Sequence, residues 1–299
     1  MRALLRIFPF LVAAAPARAH VPELEDAPPG WVWSAEPLVL IPLLALALLY
    51  ALGLLRLWRR AGIGRGVTLS RAGAGTLGLA ALLTALVSPL DAGAEASFAL
   101  HMTQHMLLIV VAAPLLALGS VGVAILAALP ADLRVPLGRR FAGRTLRRLR
   151  AWLLAVPVAT AAHGAAVWLW HAPGLYEAAL ADPLVHYLEH LTMLGTAIWF
   201  WWSIIGSRWR QPLGYGAGVA ALFLTMLHTG LLGILITLAP APLYPSYAAG
   251  HGTMLAPLED QQVAGIVMLL PGGLVYLGAG LALLAAWLDA AGRRRAAWP

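Results

Sequence analysis

The sequence contains no cysteine and no lysine, and only 11% of its 299 residues are charged. Without cysteine there are no disulfides, no CxxC copper sites and no iron–sulfur ligation, so any metal must be held by His, Met, Asp, Glu or backbone. A water-soluble domain carries roughly 25% charged residues. With 61% hydrophobic residues, this chain cannot cover itself with a water-facing surface, and it reads as an integral membrane protein. There is no internal repeat, no low-complexity segment and no second soluble domain.

What charge there is follows a pattern. All twenty basic residues are arginine. Arg2 and Arg6 precede an apolar run, Ile7 to Ala15, and the A-x-A sequence Ala17-Arg18-Ala19; together these read as a cleavable export signal over residues 1–19. A proline-rich lead-in follows over 20–35. A membrane helix needs roughly 20 mainly apolar residues, and seven such stretches occur, near 36–57, 70–89, 98–118, 151–170, 184–205, 216–239 and 262–288. The expected fold is therefore all-α, a polytopic seven-helix transmembrane bundle over 36–290, with a tail at 291–299.

The arginines outside the signal fall in four groups. Arg56, Arg59, Arg60, Arg65 and Arg71 flank the first connection, and Arg134, Arg139, Arg140, Arg144, Arg147, Arg148 and Arg150 fill the third. Arg208 and Arg210 lie in the fifth, and Arg293, Arg294 and Arg295 close the chain. The second, fourth and sixth connections carry only Asp91, Glu95, Glu177, Asp182, Glu259 and Asp260. Positive charge is retained on the cytoplasmic side, which puts the N-terminus outside and the C-terminus inside. The net charge of +7 is thus topological, and no nucleic-acid partner is expected. The basic segment Arg134–Arg150 is expected to lie on anionic headgroups of the lipid bilayer.

That topology gathers the histidines. His101 and His105 begin the third span on the outer side, His186 and His190 begin the fifth, and His171 ends the fourth. His251 lies in an outer connection, and signal cleavage would make His20 the first residue. His163 stands about 12 Å deeper than His171, at 1.5 Å per residue, and His228 is near mid-membrane. The pairs His101/His105 and His186/His190 have i, i+4 spacing, which stacks both rings on one helix face. Intramembrane polar groups are costly and mark function by default. Four or five imidazoles facing one cavity would suit a metal ion, with Gln104, Glu189, Asp260 and Gln261 available as partners for their second nitrogens. Met102 and Met106 add thioethers at that depth, as packing residues or as soft ligands. Imidazole with thioether favours copper, with zinc possible.

Other readings of the same residues remain open. A polar packing network needs no ion. A zinc-dependent membrane hydrolase could be built from His171, His186, His190, Glu189 and Asp260, although no H-E-x-x-H occurs. His163 and His228 are deep enough to ligate a haem. A copper transporter would need ligands in the arginine-flanked half, where no histidine falls.

Four segments in order, "HMTQHMLLIVVAAPLLALG", "WLWHAPGLYEAALADPLVHYLEHLTMLGTAIWFWW", "LAPAPLYPSY" and "DQQVAGIVMLLPGGLVYL", resemble the CtaG family of caa3-type cytochrome c oxidase assembly factors. The resemblance implies a multi-pass protein of the bacterial plasma (inner) membrane that is needed to produce active oxidase. It also implies cytochrome c oxidase subunits as partners and a role in supplying copper, so the chain is expected to act as an assembly factor and not as a catalyst, with the metallohydrolase as the alternative. The family's polar positions fall on His101, Gln104, His105, His171, His186, Glu189, His190, Asp260 and Gln261.

Overall fold

The computed structural model describes residues 32–141, 155–205, 212–248 and 255–296. The expected signal peptide, His20, His251, Arg208, Arg210 and the arginines from Arg144 to Arg150 lie outside the described residues. Every regular element among the described residues is helical.

The first helix, α1 (Pro37–Ala61), starts with proline in its first turn, where a missing N–H costs nothing, and ends on Arg59 and Arg60 before Gly62. Thr68 caps α2 (Leu69–Val87) by accepting from the Arg71 N–H. Ser88 then ends α2 and caps the short α3 (Pro89–Ala96). α4 (Phe98–Met106) runs on through a π-helical stretch (Leu107–Ala112) into α5 (Ala113–Leu118), making one rod from Phe98 to Leu118. Gly119 and the left-handed Ser120 turn the chain into α6 (Val121–Ala128), and α7 (Ala131–Phe141) follows. Beyond these come α8 (Val156–Trp170), α9 (Pro173–Ala181), α10 (Pro183–Ile205), α11 (Pro212–Thr237), α12 (Pro245–Ala248) and α13 (Pro257–Ala296).

Among the described residues, five helices are long and apolar enough to cross a membrane: α1, α2, the rod 98–118, α11 and α13. The other two expected spans fall short of that description. The described α8 has 15 residues. α10 has 23, a sufficient length, but His186, Glu189 and His190 lower its hydropathy. Both α10 residues most foreign to lipid, Glu189 and His190, are buried inside the bundle. The outward faces are apolar instead. On α1, Leu38, Ile41, Leu44, Leu48, Leu52 and Leu55 form an exposed stripe at helical spacing, the surface expected of a helix solvated by hydrocarbon.

The rod 98–118 sits between two cores. Met102, Met106 and Ile109 pack with Met193, Phe200, Trp201, Leu222 and Met268 on one side. Leu108, Ala112 and Leu116 pack with Tyr50, Leu54, Leu82 and Ala124 on the other. Close backbone approach replaces bulk at two helix crossings. A Cβ at Gly53 of α1 would collide with the Ala124 carbonyl of α6, and one at Gly265 of α13 with the Gly233 carbonyl of α11. Small residues permit such contacts in membrane bundles.

The π-helical stretch has a local cause. Pro114 has no N–H and would crowd the carbonyl four residues back in a regular helix. The wider turn relieves this, with the Ala113 N–H reaching back to Leu108 O. It leaves the Ile109 carbonyl opposite Pro114 without a backbone donor. The indole N–H of Trp201 on α10 donates to it at 3.0 Å, fixing α10 against the rod.

Candidate metal centre

Two capping arrangements set the level of the helices that carry the histidines. α4 begins where Ser97 Oγ accepts from Leu100 N. The Asp260 carboxylate from the start of α13 accepts from Ser97 Oγ at 2.7 Å, from Phe98 N at 2.6 Å and from Ala99 N at 3.4 Å. A carboxylate at a helix N-terminus satisfies free N–H groups and opposes the helix dipole. α10 begins in the same way, with Asp182 Oδ1 accepting from Leu184 N at 2.7 Å and Pro183 in the first position. His101 and His105 on α4, and His186, Glu189 and His190 on α10, then face one another within one buried layer.

His101, His105, Glu189 and His190 converge. One donor atom from each lies within 4.8 Å of all the others, and all four residues are buried. His101 Nε2 and His105 Nε2 are 3.0 Å apart. Glu189 places its carboxylate oxygens 3.7 Å from His105 Nε2 and 3.9 Å from His101 Nε2. Donors bound to one ion at ~2.0–2.1 Å can be no more than ~4.2 Å apart, so these three pairs already fall within reach of a common ion. His186 flanks the group, its ring 4.3 Å from that of His190 and 5.4 Å from that of His101. His171 approaches from the end of α8, its ring 6.3 Å from that of His105.

The hydrogen bonds around the rings select their tautomers. Burial pushes the Tyr247 hydroxyl well above the ordinary phenol range, so it keeps its proton. That proton is given to Ala94 O at 2.8 Å. The contact of 3.0 Å between Tyr247 and His101 Nδ1 must then run from the ring N–H to the phenol oxygen. His101 Nε2 is left with its lone pair toward His105 and Glu189. His171 is held likewise, its Nδ1–H donating to Val167 O at 2.7 Å while Nε2 stands 3.4 Å from Met102 Sδ. Orientation of a ligand through its second nitrogen is the usual support of a metal-binding imidazole.

What remains unsatisfied is equally specific. His105 Nδ1, His186 Nε2, His190 Nε2 and both oxygens of Glu189 are buried and have no hydrogen-bond partner. Buried polar atoms are nearly always paired, and an unpaired carboxylate costs most. Such a cluster of unpartnered imidazole nitrogens and carboxylate oxygens is suited to hold a cation. The donor set of three imidazoles and one carboxylate fits borderline ions such as zinc and copper.

The remaining candidates have separate duties. Gln104 turns away from the centre, donating to Ala85 O at 2.8 Å and Asp91 Oδ1 at 2.7 Å, which ties α4 to α2 and α3. Asp260 caps α4. Gln261 accepts from Leu243 N at 2.6 Å and donates to Ile236 O and Ala241 O, pinning the segment between α11 and α12. Met102 touches His171, and Met106 packs in the core beside Met268. His163 lies against Phe200 with Nδ1 on Thr196 Oγ1 at 3.3 Å, and His228 accepts from the Trp168 indole at 3.3 Å. Neither belongs to the convergent group. Sequence reasoning missed Tyr247 and the aromatic wall of Phe98, Tyr176 and Tyr244 behind it. Tyr244 and Tyr247 stand in the quoted segment "LAPAPLYPSY" and Tyr176 in "WLWHAPGLYEAALADPLVHYLEHLTMLGTAIWFWW", whereas Phe98 lies outside the quoted motifs.

The fold and this centre together define a class: a helical protein with membrane-type apolar helices and a buried histidine–carboxylate cluster able to hold a metal ion. The chain belongs to the cytochrome c oxidase caa3 assembly factor family, whose model matches residues 48–290. Neither a curated protein nor a solved structure matches the chain.

Proposed function

We propose that the protein binds copper at His101, His105, His190 and Glu189 and hands it to a nascent cytochrome c oxidase, acting as an assembly factor and not as a catalyst. The observation that carries this reading is the convergence of four buried donor residues, among which both Glu189 oxygens, His105 Nδ1 and His190 Nε2 find no hydrogen-bond partner within the protein. Membership of an oxidase assembly family supplies the recipient. In this reading the chain crosses the bacterial plasma membrane seven times after its signal peptide is removed. The arginines stay in the cytoplasm, and the metal centre lies near the outer surface. His186 and His171, beside the four donors, serve as alternative ligands during transfer, since a delivery site needs ligands that exchange.

The carboxylate among the donors also favours zinc, and with it a metal-activated water. The two readings separate in one experiment. In cells carrying His190→Ala, membrane levels of the protein should be normal while cytochrome c oxidase activity falls at least tenfold and is partly restored by added copper. Normal oxidase activity in that strain would overturn the assembly reading. Rescue by zinc and not by copper would favour the hydrolase.

A further inference from the structure

The donor cluster is not sealed. A cavity of about 890 Å³ leads to it, bounded by the residues before α1, by α3 and by the start of α10, with His101, His186 and His190 on its lining. Among the described residues, the charged side chains that line it are carboxylates, Glu36, Asp91 and Glu95, with no arginine beside them. Glu36 and Glu95 are exposed and Asp91 is half-buried. At the inner end His190 is only 8% exposed and its Nε2 has no hydrogen-bond partner. The cavity therefore joins a negatively charged mouth to an unpartnered imidazole nitrogen.

A concave, low-dielectric pocket lined by one sign of charge focuses its field, raising the local concentration of counter-ions and their association rate by ~10–1000-fold. Asp91 is held in place by Gln104, which stands one turn from His101 and next to His105 on α4. The mouth and the floor are thus built on one piece of structure. We propose that this vestibule is the port through which the metal cation enters and leaves the centre, with Glu36 and Glu95 drawing the hydrated ion in and His186 exchanging water for imidazole on its way to His190. The inference rests on the metal-centre reading and adds to it a route, an electrostatic capture step and an order of contacts.

The test is the rate at which the purified full-length protein takes up Cu(I), and separately Zn²⁺, at low and high ionic strength. In the Glu36→Gln/Glu95→Gln double variant, uptake at low salt should be about tenfold slower than in the wild type. The difference should shrink as salt screens the mouth, and both proteins should reach the same final metal content. Equal uptake rates at low salt would overturn the port. A wild-type protein that retains neither ion would instead overturn the metal centre, and the port with it. That outcome cannot be confused with a rate difference between two proteins that both load.

Discussion

Glu189→Gln is expected to make the metal-free protein more resistant to heat and to weaken metal binding by about 100-fold or more. The first effect follows from the burial of a carboxylate whose two oxygens have no hydrogen-bond donor. A buried polar group left without a hydrogen-bond partner costs about 1–3 kcal/mol, and supplying a partner recovers part of that. An amide of the same size leaves the packing unchanged. Its NH2 can also donate toward His105 Nε2 or His101 Nε2, which stand 3.7 and 3.9 Å from the present oxygens. The second effect follows because loss of even an indirect support of a metal ligand costs ~10–100-fold in affinity, and Glu189 is a donor itself. Thermal unfolding in detergent after chelation, beside a competitive metal titration, reads both. A metal-free variant that melts below the wild type, or one that binds as tightly, would mean that Glu189 has a structural partner and no ion to hold.

The second large effect is expected from the double substitution His101→Ala/His105→Ala. Metal content should fall from one ion per chain to near zero, while insertion and helix content are retained. Two imidazoles of the four-donor set would be gone, leaving His190 and Glu189. The fold should tolerate the change because the cap on α4 comes from Ser97 and Asp260 and the middle of the rod is held by Trp201. Tyr247 keeps its bond to Ala94 O. His163→Ala is the matched control. It also deletes a buried ring, but one lying against Phe200 outside the cluster, so it should keep its metal. Loss of metal from the control as well would show that any damage to the core empties the protein.

The sequence disclosed the i, i+4 pairs on α4 and α10 because helical spacing is local: His101/His105 and His186/His190 needed only the 3.6-residue period. Their convergence was not local. It depends on Asp260 capping α4 from 162 residues away and on Trp201 reaching the Ile109 carbonyl, neither of which any spacing rule encodes. Glu189 read as a partner for a ring nitrogen, and the structure places it among the donors. Gln104 and Gln261 read as supports of the rings. Instead each satisfies backbone or carboxylate groups at the edge of the same layer. Polarity and depth were legible, but the direction of each side chain was not. The π-helical stretch was foreshadowed by Pro114, although a proline alone does not say whether a helix will kink, break or widen. Short helices such as α3, α6 and α9, with eight, eight and nine residues, went unseen because they are too short to read as spans, and α3 supplies two of the carboxylates at the cavity mouth.

Asp91 adds a link between the mouth and the rod. Burial pushes its carboxyl above the usual range, and the neighbouring charges of Glu95 and Glu36 push it the same way, while the hydrogen bond from Gln104 lowers it. Asp91 therefore feels both of the other carboxylates at the cavity mouth.

All of these expectations depend on imidazoles from α4 and α10 and the Glu189 carboxylate meeting at one ion. X-ray absorption at the metal edge of the anaerobically purified protein addresses that directly. The expected spectrum is that of a single site at one ion per chain, with nitrogen and oxygen neighbours near ~2.0–2.1 Å and the multiple-scattering pattern of imidazole. A protein without stoichiometric metal, or an ion surrounded by sulfur, would contradict it.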